Sequence, residues 1–166
     1  MFSFLKNILS DDLLIELSES KVTISVFSTD IRYEFEPYIA IDTSKKNMVI
    51  AIGSEAKQQS GANIVVVNPF KHSRSFVGDF YVAEKLLQQG LLNVRRSKFQ
   101  RAPRALIHQL DKTEGGLTNI EARILTELGH GIGSKETLIH IGEKFSAKTD
   151  SINAIKARWK ATINNL

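Results

Sequence analysis

The chain has no cysteine among its 166 residues. Disulfides, thiolate metal centres and thiol nucleophiles are therefore excluded. No apolar run approaches the roughly 20 residues of a membrane span. The N-terminus lacks the basic start and small-residue cleavage site of a secretory signal, so a cytoplasmic protein is expected. No internal repeat, low-complexity segment, nucleophile elbow or paired-carboxylate motif occurs. His72, His108, His130 and His140 are not at metal-ligand spacing, and no metal site is expected. GHGIG at 129–133 is glycine-rich, but a dinucleotide fingerprint follows a strand and opens a helix. This one follows a helix, so Gly129 or Gly131 is read as a helix C-cap.

What remains is ordinary for one soluble domain with a core: 42% apolar and 24% charged residues. The net charge of +4 permits contact with nucleic acid or an anionic membrane and requires neither. The segment MFSFLKNIL places Met1, Phe2, Phe4, Leu5, Ile8 and Leu9 on one broad face at helical spacing. Such a helix either lies in a membrane interface or packs on the protein's own core. Lys6 alone offers little electrostatic attraction to anionic lipid.

Strands are expected at 13–17, 21–27, 31–35, 38–41, 48–52, 64–67, 105–108 and 136–141. The first four are expected to share one sheet, with Pro37 marking a break or an edge. The strands at 48–52 and 64–67 are apolar enough to be covered on both faces. Helices are expected at 54–59, from the N-cap Asp79 to about 94, from Thr118 to about 128, and at 151–165. Thr118 and Glu121 form a capping-box pattern. The order strand, helix, strand over 105–141 suggests a βαβ unit.

The stretch IGSEAKQQSGANIVVVNPFKHSRSFVGDFYVAEKLLQ, with DLLIELSESKVTISVF before it and RALIHQ and GLTNIEARILTELGHGIGSKE after it, resembles the first half of an MreB-type bacterial actin. These are the rod shape-determining proteins. The likeness covers roughly residues 11–147. It implies an α/β fold: a mixed sheet with flanking helices, the ribonuclease H-like half of an actin-like ATPase, with a reduced outer subdomain at about 30–78. Residues 1–10 then form an amphipathic leader of the kind with which MreB-type actins bind membrane, and 148–166 a C-terminal helix. Actins hold ATP and Mg²⁺ between two lobes, and the expectation here is domain I alone.

The departures from the family bear on function. Its phosphate loop reads Asp-x-Gly-Thr; the matching positions are Glu16, Leu17, Ser18 and Glu19. Ser18 lacks the permissive backbone of a tight anion-binding turn. Glu19 puts a carboxylate where a triphosphate would lie, and Lys21 is the one candidate to compensate. LDKTEGG stands where the family has a compact proline-containing turn. Glu121 matches the family's acid near the catalytic water but also reads as a capping residue. The expected protein is non-catalytic and cofactor-free. It would act in the cell-shape cytoskeleton by binding protein, either a full-length MreB-type actin or a second copy, and would lie peripherally on the inner face of the membrane. The alternative is a weak ATPase using Glu16, Asp79 and Glu121, with its second lobe supplied by another chain. Arg95, Arg96, Lys98, Arg101 and Arg104, with Phe99 among them, would serve a further alternative, nucleic-acid binding, or meet anionic lipid. Ile152, Ile155, Trp159 and Ile163 form a stripe that either covers the sheet or docks a partner.

Overall fold

The structure, a computed structural model, describes residues 11–95 and 101–163, with side chains as far as residue 161. In chain order the elements are β1 (Leu13–Leu17), β2 (Val22–Val26), β3 (Arg32–Phe35), β4 (Ile39–Asp42), β5 (Met48–Ile52), α1 (Ser54–Lys57), β6 (Ile64–Val67), α2 (Phe80–Leu92), β7 (Arg104–Gln109), α3 (Asn119–Gly131), β8 (Glu136–His140) and α4 (Ile152–Ile163).

Five strands form the main sheet in the order β3-β2-β1-β7-β8. The β1–β2 and β2–β3 pairs are antiparallel, whereas β1–β7 and β7–β8 are parallel. Alternation along β1 divides its side chains between two cores. Leu13, Ile15 and Leu17 join Leu86, Leu87 and Leu91 of α2 and Leu125 and Leu128 of α3 on one face. Leu14 faces the other way and packs with Leu106, Phe27, Ile152 and Ile155. Both faces of β1 are thus covered, which is why LLIEL carries one charge only.

Tyr38–Ile41 does not continue this sheet. Residues 39–42 form the centre of a separate antiparallel sheet, β5-β4-β6. Pro37, which cannot donate to a ladder, sits buried at the junction. The strands expected to be covered on both faces are instead the edges of this small sheet. Met48 and Val65 are each 48% exposed. Three strands and the single turn of α1 cannot enclose them.

The helix ends follow local chemistry. Asp79 caps α2, its Oδ1 accepting from the Val82 N–H at 3.0 Å. Thr118 and Glu121 form the full capping box of α3. The C-terminal end of α3 departs from expectation, because Gly129 and Gly131 lie inside the helix. The left-handed residue after it is Gly133, with φ of 89°, whose N–H donates to the His130 carbonyl. Gly129 serves a different purpose: a Cβ there would come within 2.2 Å of Thr137 Oγ1, so its absence lets α3 lie close on β8.

Candidate functional site

Because β1, β7 and β8 are parallel, their carboxyl ends gather along one edge of the main sheet, where ligands of open α/β sheets sit. The β1–β2 turn occupies that edge. Its backbone is closed by its own residues: the Ser18 N–H donates to the Lys21 carbonyl at 2.9 Å and Ser18 Oγ to the same carbonyl at 2.8 Å. Ser18 Oγ in turn accepts from the Lys21 N–H at 2.9 Å. A serine at this position therefore builds the turn with its own hydroxyl.

The next amide is also engaged. The Glu19 N–H donates to Asp111 Oδ2 at 2.7 Å, across 92 residues of sequence. The Glu19 side chain pairs with Lys112 Nζ at 2.6 Å. Lys112 Nζ donates further to the His72 carbonyl, and Asn68 Nδ2 donates to the Glu19 carbonyl at 2.8 Å. Three segments thus meet at Glu19: the β1–β2 turn, the loop after β6 and the turn after β7. Buried Gln109 holds the last of these, its Nε2 donating to the Asp111 and Lys112 carbonyls at 2.8 and 3.3 Å. Lys112 itself has φ of 54°, a left-handed conformation that costs a non-glycine residue about 1 kcal/mol.

Lys21 is not the compensating cation. It bonds Glu34 at 3.0 Å on the antiparallel side of the sheet. The Lys21 and Arg32 partners hold the Glu34 carboxyl below its usual range. Lys112 is the residue that reading the sequence missed, together with Asp111, Asn68 and Gln109. The visible signal was LDKTEGG itself, a turn without the expected proline.

Glu16 and Asp79 line different depressions among the described residues, and Glu121 is bound to its own helix cap. Glu16, half-buried, lines a depression with Leu14, Ser25, Phe145 and Lys148. Asp79 lines a different one, with Val65, Val67 and Tyr81. Glu121 accepts from the Thr118 N–H at 2.8 Å and from Thr118 Oγ1 at 2.7 Å. The backbone bond and then the hydroxyl lower its pKa. Asp79 and Glu121 are therefore engaged as helix caps. No group of three or more His, Asp or Glu side chains among the described residues is arranged to hold a metal ion. A polyphosphate brought to the turn as built would meet the Glu19 and Asp111 carboxylates, with the nearby Lys112 already paired.

On the far face of the sheet, register aligns Glu16, His108 and His140 across β1, β7 and β8. His108 is fully buried, and its Nε2 donates to the Gly142 carbonyl at 3.1 Å. Its Nδ1 has no hydrogen-bond partner among the described residues. Burial first, and the neighbouring His140 second, push its pKa down to about 4. The His140 ring stacks on Trp159 of α4.

The basic run loses one member to the fold. Arg95 and Arg101 are exposed, and Arg96 and Lys98 lie outside the described residues. Arg104 faces the fold: its Nη2 pairs with Asp12 at 2.5 Å, its Nε donates to Asp12 Oδ1 at 3.1 Å, and its Nη1 donates to Asn153 at 2.7 Å. It fastens β1 and β7 to α4 and is withdrawn from the expected phosphate-binding set. The C-terminal stripe likewise packs on the sheet. Ile152 and Ile155 are fully buried against Leu14 and Leu106, with Trp159 half-buried beside them, so these residues are not an open docking face. The side chain of Ile163 and the segment Met1, Phe2, Phe4, Leu5, Ile8 and Leu9 lie outside the described residues. Among the described residues no helix is long and apolar enough to cross a membrane.

The chain is 30% identical over 146 residues to the cell shape-determining protein MreB of Escherichia coli K12, and 29% identical to that of Haemophilus influenzae. Each match covers 84% of this chain and 40% of the relative, so the chain spans about two fifths of their length. The fold is similar to that of MreB5 of Spiroplasma citri bound to ADP, with a TM-score of 0.59 at 20% identity over 78% of this chain and 38% of that one. It is also similar to a non-polymerising mutant of MamK bound to AMPPNP, with a TM-score of 0.61 at 12% identity over 80% and 41% of the two chains. Residues 10–154 match the MreB/Mbl protein family, and the chain belongs to that family.

Proposed function

We propose that this chain works in the cell-shape cytoskeleton by binding a protein partner and does not hydrolyse ATP. The observation that carries the reading is the acidic closure of the β1–β2 turn. Glu19 stands at the turn with its carboxylate on Lys112 and its N–H on Asp111. A triphosphate brought there meets like charge, at a cost of several kcal/mol. Of the three acids that would serve hydrolysis, two cap helices and the third lies in a separate depression. The partner in this reading is a full-length MreB-type actin or a second copy, held near the membrane by the apolar face of Met1–Leu9.

Thermal unfolding with and without MgATP tests the central claim. A true ligand at a hundred times its dissociation constant adds about 2.7 kcal/mol of stability. No shift is expected. A rise specific to ATP, absent with AMP, overturns the proposal. Co-sedimentation with filaments of a full-length relative tests the partner: recovery in the supernatant alone counts against it. Liposome pelleting should fall when Phe4→Asp is introduced; equal pelleting of both forms removes the membrane component.

A further inference from the structure

We propose that Asp111 and Lys112 are a built-in substitute for a bound ligand at the β1–β2 turn, holding the carboxyl edge of the sheet closed without one. This rests on the non-nucleotide reading above and adds how that state is maintained.

Three observations carry it. First, the Glu19 N–H, at the tip of the turn, has an anionic acceptor, Asp111 Oδ2 at 2.7 Å. A backbone amide aimed at a carboxylate is a charge-assisted bond, about twice as strong as a neutral one. Second, Lys112 bridges two segments at once, with Glu19 Oε1 at 2.6 Å on one side and the His72 carbonyl on the other. It does so from a left-handed backbone, φ 54°, that the surrounding contacts must hold in place. Third, the supporting residues are themselves fixed. Gln109 is 1% exposed and clamps the carbonyls of both Asp111 and Lys112. Asn68 completes the ring by donating to Glu19 and accepting from the Phe70 N–H. The turn after β1, the loop after β6 and the turn after β7 are linked pairwise by these bonds, and every member comes from this chain.

The consequence is a lobe whose edge loops need no ligand to become ordered. Its surface is then available to a partner at all nucleotide concentrations. Asp111 supplies the negative charge, Lys112 the counter-charge, and Gln109 the positioning.

Hydrogen exchange of the full chain tests this, with Asp111→Ala and the gentler Asp111→Asn as variants. In wild type the amides of residues 18–21 and 70–72 should be protected equally with and without MgATP. Asp111→Ala should expose the Glu19 amide about tenfold or more, as loss of a hydrogen bond to a charged acceptor implies, and loosen 70–72 with it. Asp111→Asn, which keeps an oxygen acceptor but no charge, should fall between. Millimolar inorganic phosphate should restore protection in Asp111→Ala and leave wild type unchanged. Unaltered exchange in both variants overturns the proposal, as does faster exchange that phosphate does not reverse. Stabilisation of wild type by MgATP, with phosphate rescue of Asp111→Ala intact, would instead sink the non-nucleotide reading and leave the internal ligand standing.

Discussion

Acid should weaken this fold through one buried histidine before it does so through any carboxylate. The His108 ring is fully buried, its centre 4.7 Å from that of His140 and 6.4 Å from that of Phe145. A carbonyl can only accept, so Nε2, bonded to Gly142, carries the proton and Nδ1 is the bare nitrogen. Protonating Nδ1 would bury a cation beside His140 and Lys144, with no hydrogen-bond partner for it among the described residues. The folded pKa is accordingly about 4, against 6.5 for a free ring. In the unfolded chain the ring takes up its proton near 6.5; in the folded chain it does not until about 4. The stability associated with the neutral ring is therefore complete above 6.5 and is lost as the pH falls from 6.5 toward 4. At about 1.4 kcal/mol per pKa unit the ceiling is about 3 kcal/mol, and the loss between about pH 7 and about pH 4.5 is about 2 kcal/mol. The carboxyls of Glu34, Asp42 and Glu121, also held low, lose their contribution as the pH falls past their ordinary values of 3.8 to 4.5, at the lower end of the histidine window. Urea midpoints of wild type and His108→Leu across this range isolate the effect. The leucine removes the orphaned Nδ1 and leaves the carbonyl of Gly142, an exposed residue, to bond water. Its stability should be flatter with pH by about 2 kcal/mol. Equal slopes for the two proteins would refute the assignment.

Other parts of the structure yield sharper stability tests. Arg104→Ala strands the buried Asp12 carboxylate and should cost about 3 kcal/mol in urea unfolding. Arg104→Lys should recover only part of that, because an ammonium cannot reproduce the guanidinium fork, and neither change should alter retention on heparin. Gly129→Ala drives a methyl to within 2.2 Å of Thr137 Oγ1 and 2.4 Å of its Cγ2. It should cost about 1–3 kcal/mol and be partly recovered by adding Thr137→Ala. Ile155→Ala empties a fully buried site under α4. A loss of about 2–5 kcal/mol is expected, with Trp159 emission moving to longer wavelength.

Most of the strand order was legible because β1, β2 and β7 alternate or run apolar for reasons that hold locally. Thr118 with Glu121 and Asp79 before α2 announced their helices, since capping is decided within three or four residues. What failed were inferences needing the neighbours. IVVV reads as a covered strand, yet Val65 is 48% exposed because the small sheet has nothing beyond β6 among the described residues to lie against it. GHGIG offers three glycines to a cap, and only helix length decides that Gly133 takes the left-handed turn while Gly129 relieves a contact with β8. Arg104 sits in a basic run and reads as solvated. Its partner Asp12 is 92 residues away, brought alongside by the parallel pairing of β1 with β7.

The same pairing explains why the site was half visible. Glu16, Ser18 and Glu19 stand out against the family's loop because the departure lies within four residues. Their environment is set by residues at 68, 109, 111 and 112, which reach the turn only because Leu17 and Gln109 end adjacent parallel strands in register. Substitutions in the loop alone leave two outcomes open: a phosphate site weakened by one acid, or a turn reorganised around that acid. The distinction lies in where the acid's charge goes. A glutamate with no cation would repel an anion and leave its amide free for metal-bridged binding; Glu19 has Lys112 for its carboxylate and Asp111 for its amide. Asp111 and Lys112 are adjacent on one turn, so a two-residue change there would supply both at once. That concentration makes Asp111→Ala the most discriminating single substitution in the chain. It removes one carboxylate from the edge, keeps the Glu19 and Lys112 side chains, and exposes one backbone donor whose response to phosphate reports whether the turn still recognises an anion.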